Sequence, residues 1–354
     1  MGQIKIKVLI VDDSVFFREF MSRSLSADPL IEVVGIASSG FEAMEKTFAL
    51  QPEIVVLDIE IPHMRGTDFL KQFSLRYPRI RVVVISSISK DVFAALQAGA
   101  VDFVLKPNTQ SKLDITPFTR QLTDKIKIAA ATAITKRTLA ASPEAKSQAL
   151  TGTMPVNPVF ISPKSVIAIG ASTGGTEAIL AIVKDLPANT PGMVIVQHMP
   201  PMFTRMYAER LDKVCNMRVR EAKNGDRVEP GLILIAEGGD KHMRLGKDAR
   251  GYVVWCEPGE KISGHCPSVD ALFESVAQVA GANAVGVLLT GMGADGAKSL
   301  LAMRKAGAYT IGQDQSTCVV YGMPMVAYNL GGVVDQLPLE AISEAIVRYL
   351  SRKK

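Results

Sequence analysis

Four cysteines, four histidines and one tryptophan in 354 residues leave little room for several common chemistries. Cys215, Cys256, Cys266 and Cys318 are scattered, with no Cys-x-x-Cys spacing. That suits a reducing, cytoplasmic compartment better than a zinc or disulfide framework. No apolar run approaches the length that crosses a bilayer, so no membrane insertion is expected. The opening Met-Gly-Gln-Ile-Lys-Ile-Lys leads straight into a strand pattern, and no secretory leader is expected from it. The net charge is only +5, with no dense basic stripe, which argues against nucleic acid as a partner. The small positive excess would help steer the chain toward an acidic partner. What is plentiful is aliphatic character: 47% of the residues are hydrophobic, enough to build cores for the two domains that this length implies.

The apolar runs alternate between strand and helix periods, the pattern of parallel, doubly wound α/β sheets. In the front third, strands are expected at Lys7–Val11, Ile54–Leu57, Arg81–Ile85 and Val101–Leu105. From about Ala131 to Lys164 the period fails in a stretch rich in Ala, Ser, Thr, Pro and Lys, read as an interdomain linker. A second alternating series follows. It has strands at Ser165–Ile169, Met193–Gln197 and Ala284–Thr290 and helices at Thr176–Leu186 and Ala297–Ala306. Gly231–Ala236 and Tyr252–Cys256 flank glycine-rich turns and read as hairpin strands.

The polar residues at the strand ends carry the chemistry, because such sheets bind ligands there. Asp12-Asp13 follow the first strand, Asp58 ends another, and Ser86 and Lys106 lie past two more. Carboxylates gathered at one sheet edge need a cation or a proton to compensate them, and Mg²⁺ suits that donor set. Lys106 can balance phosphate charge, and the Ser86 hydroxyl can donate to it. Any one of these aspartates taken singly reads as a helix or turn cap.

The second series has its own strand-end residues. Gly170-Ala-Ser172-Thr-Gly174 fits a nucleophile elbow, in which small neighbours let a strand turn sharply into a helix with the serine at its tip. The same residues also fit a phosphate-holding turn, although neither the dinucleotide fingerprint nor the P-loop is completed. His198 ends a strand in the equivalent place and can accept a serine proton near neutral pH. Asp295 lies in a glycine-rich loop after a third strand, where it could cap the helix near Gly296 or hold the imidazole. His265, with Asp270 near it, is the rival base. His63 and His242 are expected to be non-catalytic. Arg205, Arg210, Lys213, Arg218 and Arg220 form a cationic group that reads equally as ordinary solvated charge or as a face for acidic helices.

Val11-Asp12-Asp13-Ser14, Leu57-Asp58-Ile59-Glu60-Ile61-Pro62 and Leu105-Lys106-Pro107 resemble the response-regulator receiver domain. The resemblance implies that Asp58 accepts phosphate from a histidine kinase of the chemotaxis type. It also implies that Asp12, Asp13, Asp58 and the Glu60 carbonyl hold Mg²⁺, and that Ser86 and Phe103 switch together beside Lys106. From about 163 to 350 the chain is similar to the catalytic domain of the chemotaxis protein-glutamate methylesterases (CheB). The matching motifs are Gly170–Gly175, Gln197-His-Met-Pro200, Phe203-Thr204 with Ala208–Leu211, Ser263–Asp270 and Leu289–Gly296. Glu237 departs from that family, which usually has proline there. The resemblance implies a flavodoxin-like receiver over 1–125, a linker over 126–162 and a Rossmann-like methylesterase domain with a hairpin insertion over 163–354. Ser172 would be the nucleophile, His198 the base and Asp295 its orienter, with no metal at that site. Thr173 and Met292 would line it, Met292 as a source of an oxyanion N–H. The implied substrates are glutamate γ-methyl esters, and also glutamines, on the cytoplasmic helices of chemoreceptors in membrane arrays. Two other outcomes stay open: a receiver with a non-enzymatic binding output, and the same esterase in a pathway other than chemotaxis.

Overall fold

A computed structural model describes residues 5–61, 65–87, 91–107, 115–131 and 165–352. His63, Pro62, the linker stretch 132–164 and both extreme ends lie outside the described residues.

The front unit runs β1 (Ile6–Val11), α1 (Val15–Ser26), β2 (Ile31–Ala37), α2 (Gly40–Leu50), β3 (Ile54–Asp58), α3 (Gly66–Arg76), β4 (Arg81–Ser86), α4 (Val92–Gln97), β5 (Asp102–Leu105) and α5 (Thr116–Ala131). Its five strands lie in the order β2-β1-β3-β4-β5 and pair in parallel. This is the flavodoxin-like order, with its switch point between β1 and β3. Asp12 and Asp58 leave the sheet at that point.

The back unit runs β6 (Val166–Ala171), α6 (Gly175–Val183), β7 (Met193–Gln197), α7 (Phe203–Asp212), β8 (Arg218–Glu221), β9 (Leu232–Ile235), β10 (Lys241–Asp248), β11 (Gly251–Pro258), α8 (Val269–Val279), β12 (Ala284–Leu288), α9 (Ala297–Lys305), β13 (Tyr309–Gln313), α10 (Met323–Asn329), β14 (Asp335–Leu337) and α11 (Leu339–Arg352). Seven strands form one parallel sheet in the order β14-β13-β12-β6-β7-β9-β8. The middle strands β6, β7 and β12 are buried throughout, which explains their unbroken apolar sequences. Burying each Val or Ile side chain there contributes about 1.5–3 kcal/mol relative to exposure.

The sequence reading of Gly231–Ala236 as a hairpin strand is corrected: β9 is a parallel member of the large sheet, between β7 and β8. The hairpin is β10 with β11, antiparallel from Lys241↔Pro258 to Asp248↔Gly251, so only the Tyr252–Cys256 half was read correctly. Leu232–Ile235 is four aliphatic residues after Gly231, too short for periodicity to separate a hairpin strand from a buried parallel one.

The two units share a packed boundary. Phe103 of β5 stacks on Phe203 of α7 at 4.8 Å between ring centres, and Phe93 of α4 stacks on Tyr207 at 5.6 Å. One buried apolar cluster therefore continues from the front sheet into the back one. That boundary lies along the mouth of the Ser172 turn.

Candidate active site

β6, β7 and β12 are adjacent, and the chain reverses its winding between β6 and β12. The segments leaving their carboxyl ends therefore meet in one crevice. Ser172 follows β6, His198 follows β7, and the loop to Asp295 follows β12. The turn after β6 is possible because Gly174 adopts φ +78°, starting α6 in a conformation that a side chain resists. A Cβ on Gly170 would stand 2.2 Å from Val269 Cγ1, so this strand end has no space for one. The turn is braced from both sides. Ser172 N donates to Thr290 O (3.0 Å), and Gln197 Nε2 donates to Ser172 O (2.9 Å).

His198 Nε2 bonds Asp295 Oδ2 at 2.8 Å. Asp295 is 1% exposed. Burial opposes its charge, but hydrogen bonds from His198, Asp270 N and Ser268 outweigh that and hold the carboxyl below the usual carboxylate range. Asp295 does not cap α9, the alternative that its position in the sequence leaves open. Gly296 is the N-cap there, with no side-chain bond. Among the described residues, His198 Nδ1 is buried without a hydrogen-bond partner. His198 is thus joined to Asp295, and among the described residues no hydrogen bond joins it to Ser172. Catalytic bonds of this kind commonly tighten only with substrate present.

His265, the rival base, lies face to face with His198, with ring centres 3.7 Å apart and planes at 9°. Burial, with the neighbouring His198 charge, lowers its pKa to about 4. A neutral ring pressed on His198 fits a positioning or substrate-contact role. His242 is buried, with both ring nitrogens bonded to backbone.

The front unit reaches into the same crevice. A cleft there is lined by Ser172, Thr173, Gln197 and His198 from one side and by Asp102, Phe103 and Lys125 from the other. Thr173 Oγ1 donates to Asp102 Oδ2 at 2.7 Å, and Lys125 Nζ pairs with the same oxygen at 2.6 Å. Sequence reasoning singled out Thr173 but missed Asp102 and Lys125. The available signal was an acid, Asp102, standing inside the apolar run of a strand. Met292 lies on the loop after β12, 51% exposed. Its neighbour Gly291 abuts the Ser172 turn so closely that a Cβ there would stand 2.7 Å from Ser172 Cβ.

At the front switch point, Asp12, Asp13 and Asp58 bring carboxylate oxygens within 4.8 Å of one another. Asp12 and Asp58 are arranged alike. One oxygen of each caps its own turn, on Ser14 N (2.8 Å) and Glu60 N (3.1 Å). The other faces Lys106 Nζ, at 2.8 and 2.5 Å respectively. Burial raises the Asp58 pKa to about 6 even though Lys106 opposes the shift. Ser86 is buried here and donates to Glu60 Oε1 at 3.3 Å.

The cationic group resolves mostly into pairs. Arg205 bonds Glu209, Arg210 bonds Glu177 and Arg220 bonds Asp226. That favours the solvated-charge reading for the exposed Arg205, whereas Arg210 is largely buried with its guanidinium over the Phe93 ring. Glu237 pairs with Lys241 at the surface.

Known proteins share this architecture. The CheB methylesterase family matches residues 167–346, and the response regulator receiver domain matches residues 8–116. The chain belongs to the CheB methylesterase family. A protein-glutamate methylesterase/protein-glutamine glutaminase 2 of Syntrophomonas wolfei is 52% identical over 98% of this chain and 98% of its own. A protein-glutamate methylesterase/protein-glutamine glutaminase of Syntrophotalea carbinolica is 45% identical over 99% of both chains. The crystal structure of the Thermotoga maritima CheB methylesterase catalytic domain superposes with a TM-score of 0.51 at 36% identity. It covers 52% of this chain and 98% of that one. Like its CheB relatives, the chain thus carries a receiver in front and a methylesterase domain behind, both α/β.

Proposed function

We propose that this CheB-family chain is a phosphorylation-regulated serine hydrolase that removes methyl groups from glutamate γ-methyl esters on chemoreceptor helices and also deamidates glutamines there. The observation that carries the reading is the 2.8 Å His198–Asp295 pair, whose other imidazole nitrogen is buried without a partner among the described residues, in the cleft that His198 and Ser172 both line. Ser172 Oγ attacks the ester carbonyl carbon while its proton passes to His198 Nδ1. Asp295 stabilises the resulting imidazolium through Nε2–H. Among the described residues, Met292 N–H meets no acceptor, which leaves it available to the oxyanion. The tetrahedral centre then expels methoxide, which leaves as methanol with the proton from His198. Water attacks the acyl-serine, gives its proton to His198, and returns free Ser172 and a glutamate carboxylate. With a glutamine side chain the same attack releases ammonia.

The receiver supplies control. Asp58 is the phosphoryl acceptor for a chemotaxis-type histidine kinase, and the hard oxygens of Asp12, Asp13 and Asp58 fit Mg²⁺ with the Glu60 carbonyl. When bound, that ion neutralises phosphoryl charge. Lys106 moves its charge from the carboxylates to the phosphoryl oxygens, and the Ser86 hydroxyl turns from Glu60 toward them. Phe103 follows, and it is the ring stacked on Phe203. The Asp102–Thr173 bond and this stack hold the receiver over the crevice; phosphorylation weakens both and admits the receptor.

The test is methanol release from methyl-labelled receptor membranes, with and without a small phosphodonor. Release that rises with the phosphodonor and vanishes in Ser172→Ala is expected. Release that persists in Ser172→Ala sinks the hydrolase reading. Receptor binding without release would favour a non-enzymatic output.

A further inference from the structure

We propose that Ser268, at the start of α8, is a positioning residue that fixes the Asp295 carboxylate for the reaction. The inference rests on the reading of Ser172, His198 and Asp295 as the reacting relay. Asp295 sits in a glycine-rich loop, and its own following helix gives it no cap bond. Its orientation comes from elsewhere. Oδ2 accepts from His198 Nε2 (2.8 Å) and Val269 N (2.8 Å). Oδ1 accepts from Ser268 Oγ (2.7 Å) and Asp270 N (2.9 Å). Three of these donors belong to the consecutive residues 268–270, where an 11-residue helix begins. Its unsatisfied N–H groups and partial positive charge favour the ionised carboxylate. With two donors on each oxygen, the carboxylate has no free rotation.

The direction of the Ser268 bond follows from its other contact. Its oxygen accepts Ala271 N–H at 3.4 Å as the N-cap of α8. An ionised Asp295 can only accept, so the single hydroxyl proton points at Oδ1. Ser268 is held in turn. Its N–H donates to Nδ1 of buried His242 at 3.2 Å, and His242 Nε2–H donates to Glu260 O at 2.8 Å. Those two partners fix the His242 tautomer, with the proton on Nε2 and Nδ1 accepting. A continuous set of oriented bonds therefore runs from the β10 histidine through Ser268 to the carboxylate beneath the base. Such a carboxylate needs no reorganisation when His198 becomes positive, so its contribution falls on the rate rather than on receptor binding.

Two variants separate this role from helix capping. Ser268→Ala loses both the cap and the bond to Asp295. Ser268→Gly keeps a good N-cap residue, because glycine there costs a helix only a few tenths of a kcal/mol against serine. In the full-length chain with phosphodonor, both are expected to lower kcat for methanol release by roughly tenfold to a hundredfold with KM unchanged, the worth of one hydrogen bond to a charged group. Ser268→Thr, which keeps the hydroxyl, should recover most of the rate. Ser172 labelling by a fluorophosphonate, a probe independent of the receptor, should slow in parallel. Native kcat in Ser268→Gly alongside a slow Ser268→Ala would make the cap the whole effect and overturn the proposal. So would an effect confined to KM. Asp295→Asn keeps the two failures apart. If it is inactive while both Ser268 variants are native, only this inference falls. If it is itself fully active, the relay reading falls and takes the inference with it.

Discussion

Asp58 and Asp295 are each 1% exposed, and each lies beside the switch point of a parallel sheet. Their acidities move in opposite directions. Asp58 rises to about 6, because burial and the like charge of Asp12 outweigh one shared lysine and one backbone N–H. Asp295 falls, because four donors converge on its two oxygens. Depth in the protein does not set the state of a buried carboxylate; the balance of donors against neighbouring charge does. The front site carries excess negative charge that a cation and a phosphoryl group can use. The back carboxylate has all its donors within the protein, and it holds one side of the His198 ring while the other ring nitrogen has no hydrogen-bond partner among the described residues.

The sharpest break of this comparison is at the nucleophile. Ser172→Ala should lower methanol release on the order of 10⁶-fold, the scale on which a triad serine acts. Asp58→Asn should leave the basal rate near native and remove only the response to phosphodonor. Comparable losses from the two variants would mean that the sites are not separable in this way.

Next in size is the contact that joins them. Asp102→Ala removes the acceptor of Thr173 Oγ1 and the partner of Lys125. The unphosphorylated chain should then be roughly tenfold faster, a coupling of ordinary size between two sites. An unchanged basal rate, measured without phosphodonor, would remove Asp102 from the control of the crevice.

A stability measurement sharpens the charge argument. The ordinary Asp pKa is 3.8, and folding raises that of Asp58 to about 6. Below about pH 4 the group is neutral in both states and has no effect. Between about pH 4 and 6 the unfolded chain ionises more readily than the folded one, so stability falls as pH rises, and the loss is complete above that window. Asp58→Asn should therefore stabilise the chain by about 3 kcal/mol near pH 8 and by little near pH 4, read by urea unfolding. Equal gains at both pH values would contradict a charge origin. Smallest of all is Arg205→Ala. It breaks an exposed pair with Glu209 and should alter stability by less than about 0.5 kcal/mol.

Much of both sites was legible because their residues stand at strand ends, and strand ends show in a sequence as apolar runs breaking into polar residues. Asp12, Asp58, Ser86 and Lys106 were found that way, as were Ser172 and His198. Asp295 was legible only as a candidate with two roles, since a residue before a helix reads first as a cap. Its true partners, Ser268 to Asp270, lie 25 or more residues away in the chain, joined to it by hydrogen bonds that no local pattern encodes. Ser268 did leave a trace as a serine directly before the apolar run of α8, but that signal announces a helix start and nothing more. Leu232–Ile235 was misplaced for the same reason: its strand character was plain and its neighbours were not.

The order of residues along the chain was enough to set two parallel sheets, an acidic edge in front and a serine turn behind, because side-chain period and strand-end polarity are local properties. Which oxygen meets which donor, that Asp295 serves α8 and His198 instead of its own helix, and that Asp102 reaches Thr173 across the boundary were settled by packing. Those contacts join residues between 25 and 97 positions apart. Their geometry exists only once both sheets have closed over their cores and brought the strand ends together.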